Sequence, residues 1–187
     1  MIIRKQDLIA NRWSGGTTTE LFIYPPGTDY IKRNFDVRIS TATVETERSE
    51  FSDLSGYNRL LIVLDGELTM EHQTAQNTKS THLRPLQPAF FLGEWKTIGY
   101  GKVTDFNVIY KPEYHVSAEI IHFQEHEELV LTSKEATFYI WITEGELLTD
   151  SGNCKAEELY VLEPNASQTI RAMVNTTIIL VKLIPTF

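Results

Sequence analysis

One arginine set among aliphatic residues marks where this chain could do chemistry. Arg59 heads the run Arg59-Leu-Leu-Ile-Val-Leu64, and on a strand its side chain shares a face with Leu61 and Val63. A guanidinium buried alone on such a face is costly, so it needs a carboxylate partner or a bound anion. Three other short runs place polar residues at i, i+2 spacing: Thr18 with Glu20, Asp105 with Asn107, and Asp36 with Arg38 and Ser40. Glu20 or Asp105 could serve Arg59 in a buried structural network; an anionic ligand is the other solution. The residues alone leave both open. Asp36, Arg38 and Ser40 alternate with Phe35, Val37 and Ile39, and without further information that polar face reads as the outer, solvated one, with the wall of a wet cavity as the alternative.

Other reactive types are sparse. The only cysteine, Cys154, lies in the turn-like stretch Asp150-Ser-Gly-Asn-Cys154 with no histidine nearby, which argues against a nucleophile and excludes an internal disulfide. Of the five histidines, only His122 and His126 are close in sequence. Their i, i+4 spacing would suit a metal on a helix, whereas on a strand they would stand about 13 Å apart. Glu125, Glu127 and Glu128 beside them read instead as a solvated acidic loop.

The elements that must position these groups are strands. Runs rich in Val, Ile, Thr, Tyr and Phe are predicted at 17–24, 35–44, 59–64, 68–71, 89–92, 104–110, 117–122, 136–142, 158–162 and 177–183. Pro25-Pro26-Gly27, Ser55-Gly56, Asp65-Gly66, Ser151-Gly152 and Pro164-Asn165 separate them with turn chemistry. Residues 125–131 add one short helical turn. Many short strands at this spacing indicate a sandwich or barrel. An ungapped internal repeat divides the chain: Leu61-Ile-Val-Leu-Asp-Gly-Glu-Leu68 and Ile140-Trp-Ile-Thr-Glu-Gly-Glu-Leu147 share one offset, which also carries Leu83 onto Leu162 and Pro85 onto Pro164. The expected domains are 1–112, including an N-terminal linking strand, and 113–187.

Bulk composition agrees with a globular chain. The 187 residues are 42% hydrophobic and 22% charged, and 17 basic against 25 acidic residues give a formal charge of −8. The basic residues are scattered, which argues against nucleic-acid or anionic-membrane partners. No apolar run approaches the roughly 18 residues of a membrane helix, and no signal-peptide pattern opens the chain, so a cytoplasmic location is expected.

An acidic-Gly turn after an apolar strand, followed by a Pro corner, is similar to the core of a cupin barrel. Within that superfamily the chain resembles the HutD/Ves family of bicupins. The resemblance is carried by Asn11-Arg-Trp-Ser-Gly-Gly-Thr-Thr-Thr-Glu-Leu21, Phe35-Asp-Val-Arg-Ile-Ser-Thr-Ala-Thr-Val44, Phe51-Ser-Asp-Leu-Ser-Gly-Tyr-Asn-Arg59, Leu64-Asp-Gly66 and Thr104-Asp-Phe-Asn-Val-Ile109. It departs from the family at Ser14, at Thr18 and Thr19, and at Glu47-Arg-Ser-Glu50, where the family prefers a Gly-containing turn.

The resemblance implies an all-β bicupin, two cupin-like barrels or jelly rolls in one chain. Many cupins hold a divalent metal through two His, a Glu and a distant His. Here the Glu slot falls at or near Arg59 in the first half and on Phe138 in the second, so neither a metal nor another cofactor is expected. The family's cavity coincides with the polar positions above. On that basis Arg59 and Arg38 would bind a ligand carboxylate, while Glu20, Ser40, Asp105 and Asn107 orient them and read the rest of the ligand. Trp13 and Phe106 would supply apolar wall or core. Gly15 and Gly16 would permit a close approach or simply make a turn.

The function implied is non-catalytic binding of a small organic carboxylate in a regulatory role: a histidine-utilisation intermediate such as urocanate or an N-formylglutamate-like compound, or a stress-response role on the Ves side. Two other functions stand beside it. One is a metal-independent isomerase, lyase or hydrolase using Glu20 or Asp105 as general acid or base, although carboxylates beside arginines should have lowered pKa values. The other is a scaffold with a vestigial cavity; strand 177–183, apolar on both faces, would then lie at an interface, for example of a homodimer, or else inside the second barrel.

Overall fold

The computed structural model of the chain describes residues 1–74 and 77–186. Its first strands are β1 (Ile2–Arg4), β2 (Ala10–Trp13), β3 (Gly16–Tyr24), β4 (Val37–Val44), β5 (Arg48–Glu50) and β6 (Asn58–Gly66). Then come β7 (Leu68–Gln73), β8 (Thr78–Leu83), β9 (Pro88–Leu92), β10 (Lys96–Tyr100) and β11 (Val103–Tyr110). The remaining strands are β12 (Tyr114–Phe123), β13 (Glu128–Thr132), β14 (Thr137–Glu144), β15 (Glu146–Thr149), β16 (Gly152–Lys155), β17 (Glu158–Leu162), β18 (Ser167–Ala172) and β19 (Thr176–Pro185). The all-β expectation holds, and all ten expected strands form. The helical turn expected at 125–131 does not. His126 adopts a positive φ of 71°, and its N–H donates to the Ala172 carbonyl, so the acidic run is a turn leading into β13.

Two compact units result, Leu8–Pro112 and Met1–Asp7 with Glu113–Phe187. Residues 1–7 group with the second unit because β1 pairs with β17, Ile2 opposite Tyr160. The first unit has a six-stranded sheet, β2-β3-β4-β11-β6-β9, and a four-stranded sheet, β5-β10-β7-β8. In the second, β12-β19-β14-β17 repeats the order β4-β11-β6-β9, and β13-β18-β15-β16 repeats β5-β10-β7-β8. Each unit is therefore the same two-sheet jelly roll, as a bicupin requires.

The repeat seen in the sequence is real where the strands match and fails where they do not. Gly66 and Gly145 occupy the same corner with φ of 83° and 89°. A Cβ on Gly66 would lie 2.5 Å from the Lys102 carbonyl oxygen, and one on Gly145 would lie 2.6 Å from that of Asn175, so both corners exclude a side chain. Beyond β7 the offset drifts. Leu83 ends β8, which pairs with β7, whereas Leu162 ends β17, which pairs with β14; the Leu-x-Pro correspondence was a coincidence of spacing.

The interiors differ. In the second unit Phe138, Ile140, Ile142, Ile178 and Leu180 pack with Leu147, Cys154, Tyr160 and Ile170 into one apolar core. Cys154 is thus a core residue in β16, not a turn residue, and burial drives its thiol pKa up to about 12. β19 is a central strand of its sheet, with Ile178, Ile179, Leu180, Val181 and Leu183 all buried, which explains its apolarity on both faces from within the unit. In the first unit two smaller apolar clusters form. One joins Leu61 and Val63 to Leu68, Met70 and Phe91; the other gathers Phe35, Leu54, Tyr57 and Ile109.

Candidate functional site

Residues of both clusters border a cavity of about 710 Å³ in the first unit, lined by Leu61 and Ile109 but also by Glu20, Arg38, Ser40, Arg59, Asp105 and Asn107. Register brings the polar set together. Ile109 of β11 lies opposite Arg38 of β4 and opposite Arg59 of β6, so the two arginines start from one level on either side of a single strand. Ser40 lies opposite both Asn107 and Glu20. An irregularity in β3 between Glu20 and Phe22 sets Phe22, not Leu21, opposite Ile39. The polar face of β4 is therefore the inner, cavity-lining one, contrary to the solvated outer face that the residues alone suggested.

The arginines differ in how they are satisfied. Arg38 Nε donates to Glu20 Oε2 at 2.7 Å and its Nη1 to Ser40 Oγ at 3.1 Å, and its guanidinium carbon lies 4.3 Å from the centroid of the Tyr30 ring. Among the described residues Arg59 has no carboxylate in contact. Its Nη2 donates to Asn107 Oδ1 at 3.2 Å, and its guanidinium carbon lies 4.8 Å and 5.1 Å from the ring centroids of Phe51 and Phe91. Its Nε is buried without a hydrogen-bond partner. Burial lowers the Arg59 pKa to about 10, against the pull of Tyr30 and Asp105, so the group is still a cation at neutral pH.

Asp105 does not pair with Arg59 directly. Asn107 donates its amide N–H to Asp105 Oδ1 and accepts from Arg59, so the amide is a relay between them. Burial raises the Asp105 pKa to about 7; the Arg59 charge and the Asn107 hydrogen bond oppose that only in part. The lowered value expected for a carboxylate beside an arginine is overturned here, because desolvation of the buried carboxyl outweighs the pull of a cation held one side chain away.

Two aromatic positions separate. Trp13 borders the cavity at its mouth, 38% exposed, and its ring lies where a Cβ on Gly15 would fall. Gly16 makes the close approach expected of this loop, since a Cβ there would lie 1.9 Å from the Thr43 carbonyl oxygen. Phe106 is fully buried but lies between Asp105 and Asn107 in β11, so it faces away from the cavity and belongs to the core. Sequence reasoning missed Tyr30, Phe51 and Ser52, which also line the cavity. A hydrogen bond to Ser52 and the neighbouring Arg33 and Arg38 outweigh burial, which alone would raise the Tyr30 pKa, and hold it below the usual phenol value.

The donor set does not suit the divalent metal that cupin barrels often hold. Among the described residues no histidine lines the cavity, the cationic Arg59 stands at or near the position expected for the Glu ligand, and no three His, Cys, Asp or Glu side chains converge. His72, buried near Phe91 and Trp95, shares a hydrogen bond with Thr97.

The HutD family model matches residues 5–180. The chain belongs to the HutD family. Its fold is similar to that of HutD from Pseudomonas fluorescens SBW25, with TM-score 0.76, 23% identity, and 99% of this chain and 98% of that one covered. A conserved protein of unknown function, PA5104 from Pseudomonas aeruginosa PAO1, superposes with TM-score 0.81 at 23% identity over 98% and 97% of the two chains. The pirin YhhW from Escherichia coli, solved in complex with nickel(II), shares the cupin fold at 11% identity, with TM-score 0.74 and 99% of both chains covered. No curated protein matches. Among the described residues of this HutD-family cupin, no helix is long and apolar enough to cross a membrane.

Proposed function

We propose that this HutD-family cupin is a cytoplasmic binding protein for a small organic carboxylate and that it acts by sequestering or sensing the compound, not by converting it. One observation carries the reading: Arg59 is a buried cation beside a cavity, with an unpartnered Nε and no carboxylate in contact among the described residues. An isolated buried charge is strongly unfavourable, and a carboxylate accepting two charge-assisted hydrogen bonds would relieve it. Family membership supports a ligand from histidine utilisation, such as urocanate or an N-formylglutamate-like compound. A thermal-shift screen of small carboxylates tests this: stabilisation is expected with at least one and is lost in Arg59→Ala. No stabilisation by any carboxylate that the cavity can hold would refute it.

A second reading, a metal-independent isomerase, lyase or hydrolase, is favoured by Asp105, whose carboxyl titrates near neutrality as a general acid or base must. It predicts turnover that disappears in Asp105→Asn while binding persists.

A further inference from the structure

The charges around the cavity define its ligand more narrowly than "carboxylate". Arg38 is already neutralised by Glu20 at 2.7 Å. At the rim Arg12 pairs with Glu45 at 3.4 Å and Glu50 with Arg48 at 2.9 Å. Asp29 accepts hydrogen bonds from the backbone N–H groups of Ile31 and Lys32, which fixes a further negative charge at the lining. Arg33 is turned to Tyr30, donating to its carbonyl and lying 4.1 Å from its ring centroid. Among the described residues lining the cavity that leaves one guanidinium, Arg59, unmatched by any carboxylate in contact, with Asp105 beyond the Asn107 amide and Glu20 on β3 of the same sheet, beside Arg38.

We propose that the cavity selects ligands bearing a single carboxylate over ligands of the same shape bearing two, with Arg59 as the one lining cation, among the described residues, that is left open to an anion. This rests on the carboxylate-binding reading above and adds the ligand's charge to it: of the two compounds named there it favours urocanate, with one carboxylate, over N-formylglutamate, with two. The first carboxylate finds a desolvated guanidinium that no carboxylate among the described residues contacts. A second would meet Glu20, Asp29 or Asp105, or would have to displace Glu20 from Arg38, and in a partly desolvated cavity like charges repel strongly.

Succinate and succinamate form the test, because they differ only in replacing one carboxylate by an amide. Titration calorimetry of the full chain at pH 7.5 is expected to give succinamate about tenfold or greater preference. Equal affinity, or a preference for succinate, overturns the single-charge inference and leaves the carboxylate-binding reading standing. If neither these two nor any compound of the broader carboxylate panel binds, both fall. In Glu20→Gln, checked for folding by its thermal midpoint, Arg38 is left unmatched and the preference is expected to narrow. An unchanged preference there overturns the assignment of Glu20 and Arg38 as the self-neutralising pair.

Discussion

Arg59 meets Asp105 only through the side-chain amide of Asn107, which accepts from the guanidinium and donates to the carboxylate. Two opposite charges are thus held in one buried space without forming an ion pair, an arrangement that pure stability would not favour. If the group served the fold, breaking it by removing one charge would cost about 3–5 kcal/mol. If it serves a ligand, the apo protein bears the desolvation penalty instead. Arg59→Met, similar in volume and uncharged, is therefore expected to leave stability within about 2 kcal/mol of the parent, or to raise it, while abolishing any carboxylate-induced thermal shift. Denaturant unfolding with and without ligand measures both.

Asp105 sets a pH dependence whose sign follows from its raised pKa. The folded protein keeps a proton up to about pH 7 that the unfolded chain releases near its ordinary value of 3.8. This contribution is complete below pH 3.8, declines across the interval, and is gone once pH passes about 7. Asp105→Asn, which removes the titrating group, should gain stability relative to the parent between pH 5 and pH 8. Chemical denaturation of both proteins at those two pH values checks it. Carboxylate affinity of the parent should fall over the same range as Asp105 becomes an anion.

Cys154 should be inert while the protein is folded, since its thiol is buried in the second unit's core and its pKa is driven far above neutrality. Reaction with a thiol reagent at pH 8 is expected to track global unfolding, with no fast phase in the native protein.

The corner glycines offer a test of the duplicated fold. At Gly145 a Cβ would lie 2.4 Å from Thr176 Oγ1 and 2.7 Å from Thr176 Cα, and φ is 89°. Gly145→Ala and Gly66→Ala should each destabilise by about 2 kcal/mol or more, from strain and clash together. Thermal melting would show this as a drop of roughly 4–8 °C.

Much of the fold was legible because long inner strands advertise themselves. Arg59 to Leu64 and Thr177 to Leu183 are apolar enough to declare strands on composition alone. The strands that escaped notice are short or weakly patterned: β8 reads Thr-Lys-Ser-Thr-His-Leu, largely exposed and without alternation, β5 is only three residues long, and β10 is buried but reads Lys-Thr-Ile-Gly-Tyr, with a single aliphatic residue. The site was legible through i, i+2 spacing together with the family resemblance, which assigned Glu20, Arg38, Ser40, Arg59, Asp105 and Asn107 to one cavity; alternation alone put Arg38 and Ser40 on an outer face. Tyr30 and Ser52 lie in irregular segments where no periodicity constrains direction, and only tertiary folding brings them to the cavity. The Asp105 pKa was misjudged because sequence shows which charges share a region but not whether an amide separates them.

Register equates Arg59, Asp105 and Asn107 of the first unit with Phe138, Ile178 and Leu180 of the second. The molecule thereby carries, in its own other half, a worked example of the same backbone grown solid. Transplanting Phe, Ile and Leu onto 59, 105 and 107 would give the first unit the apolar filling that its counterpart has at these three inward positions.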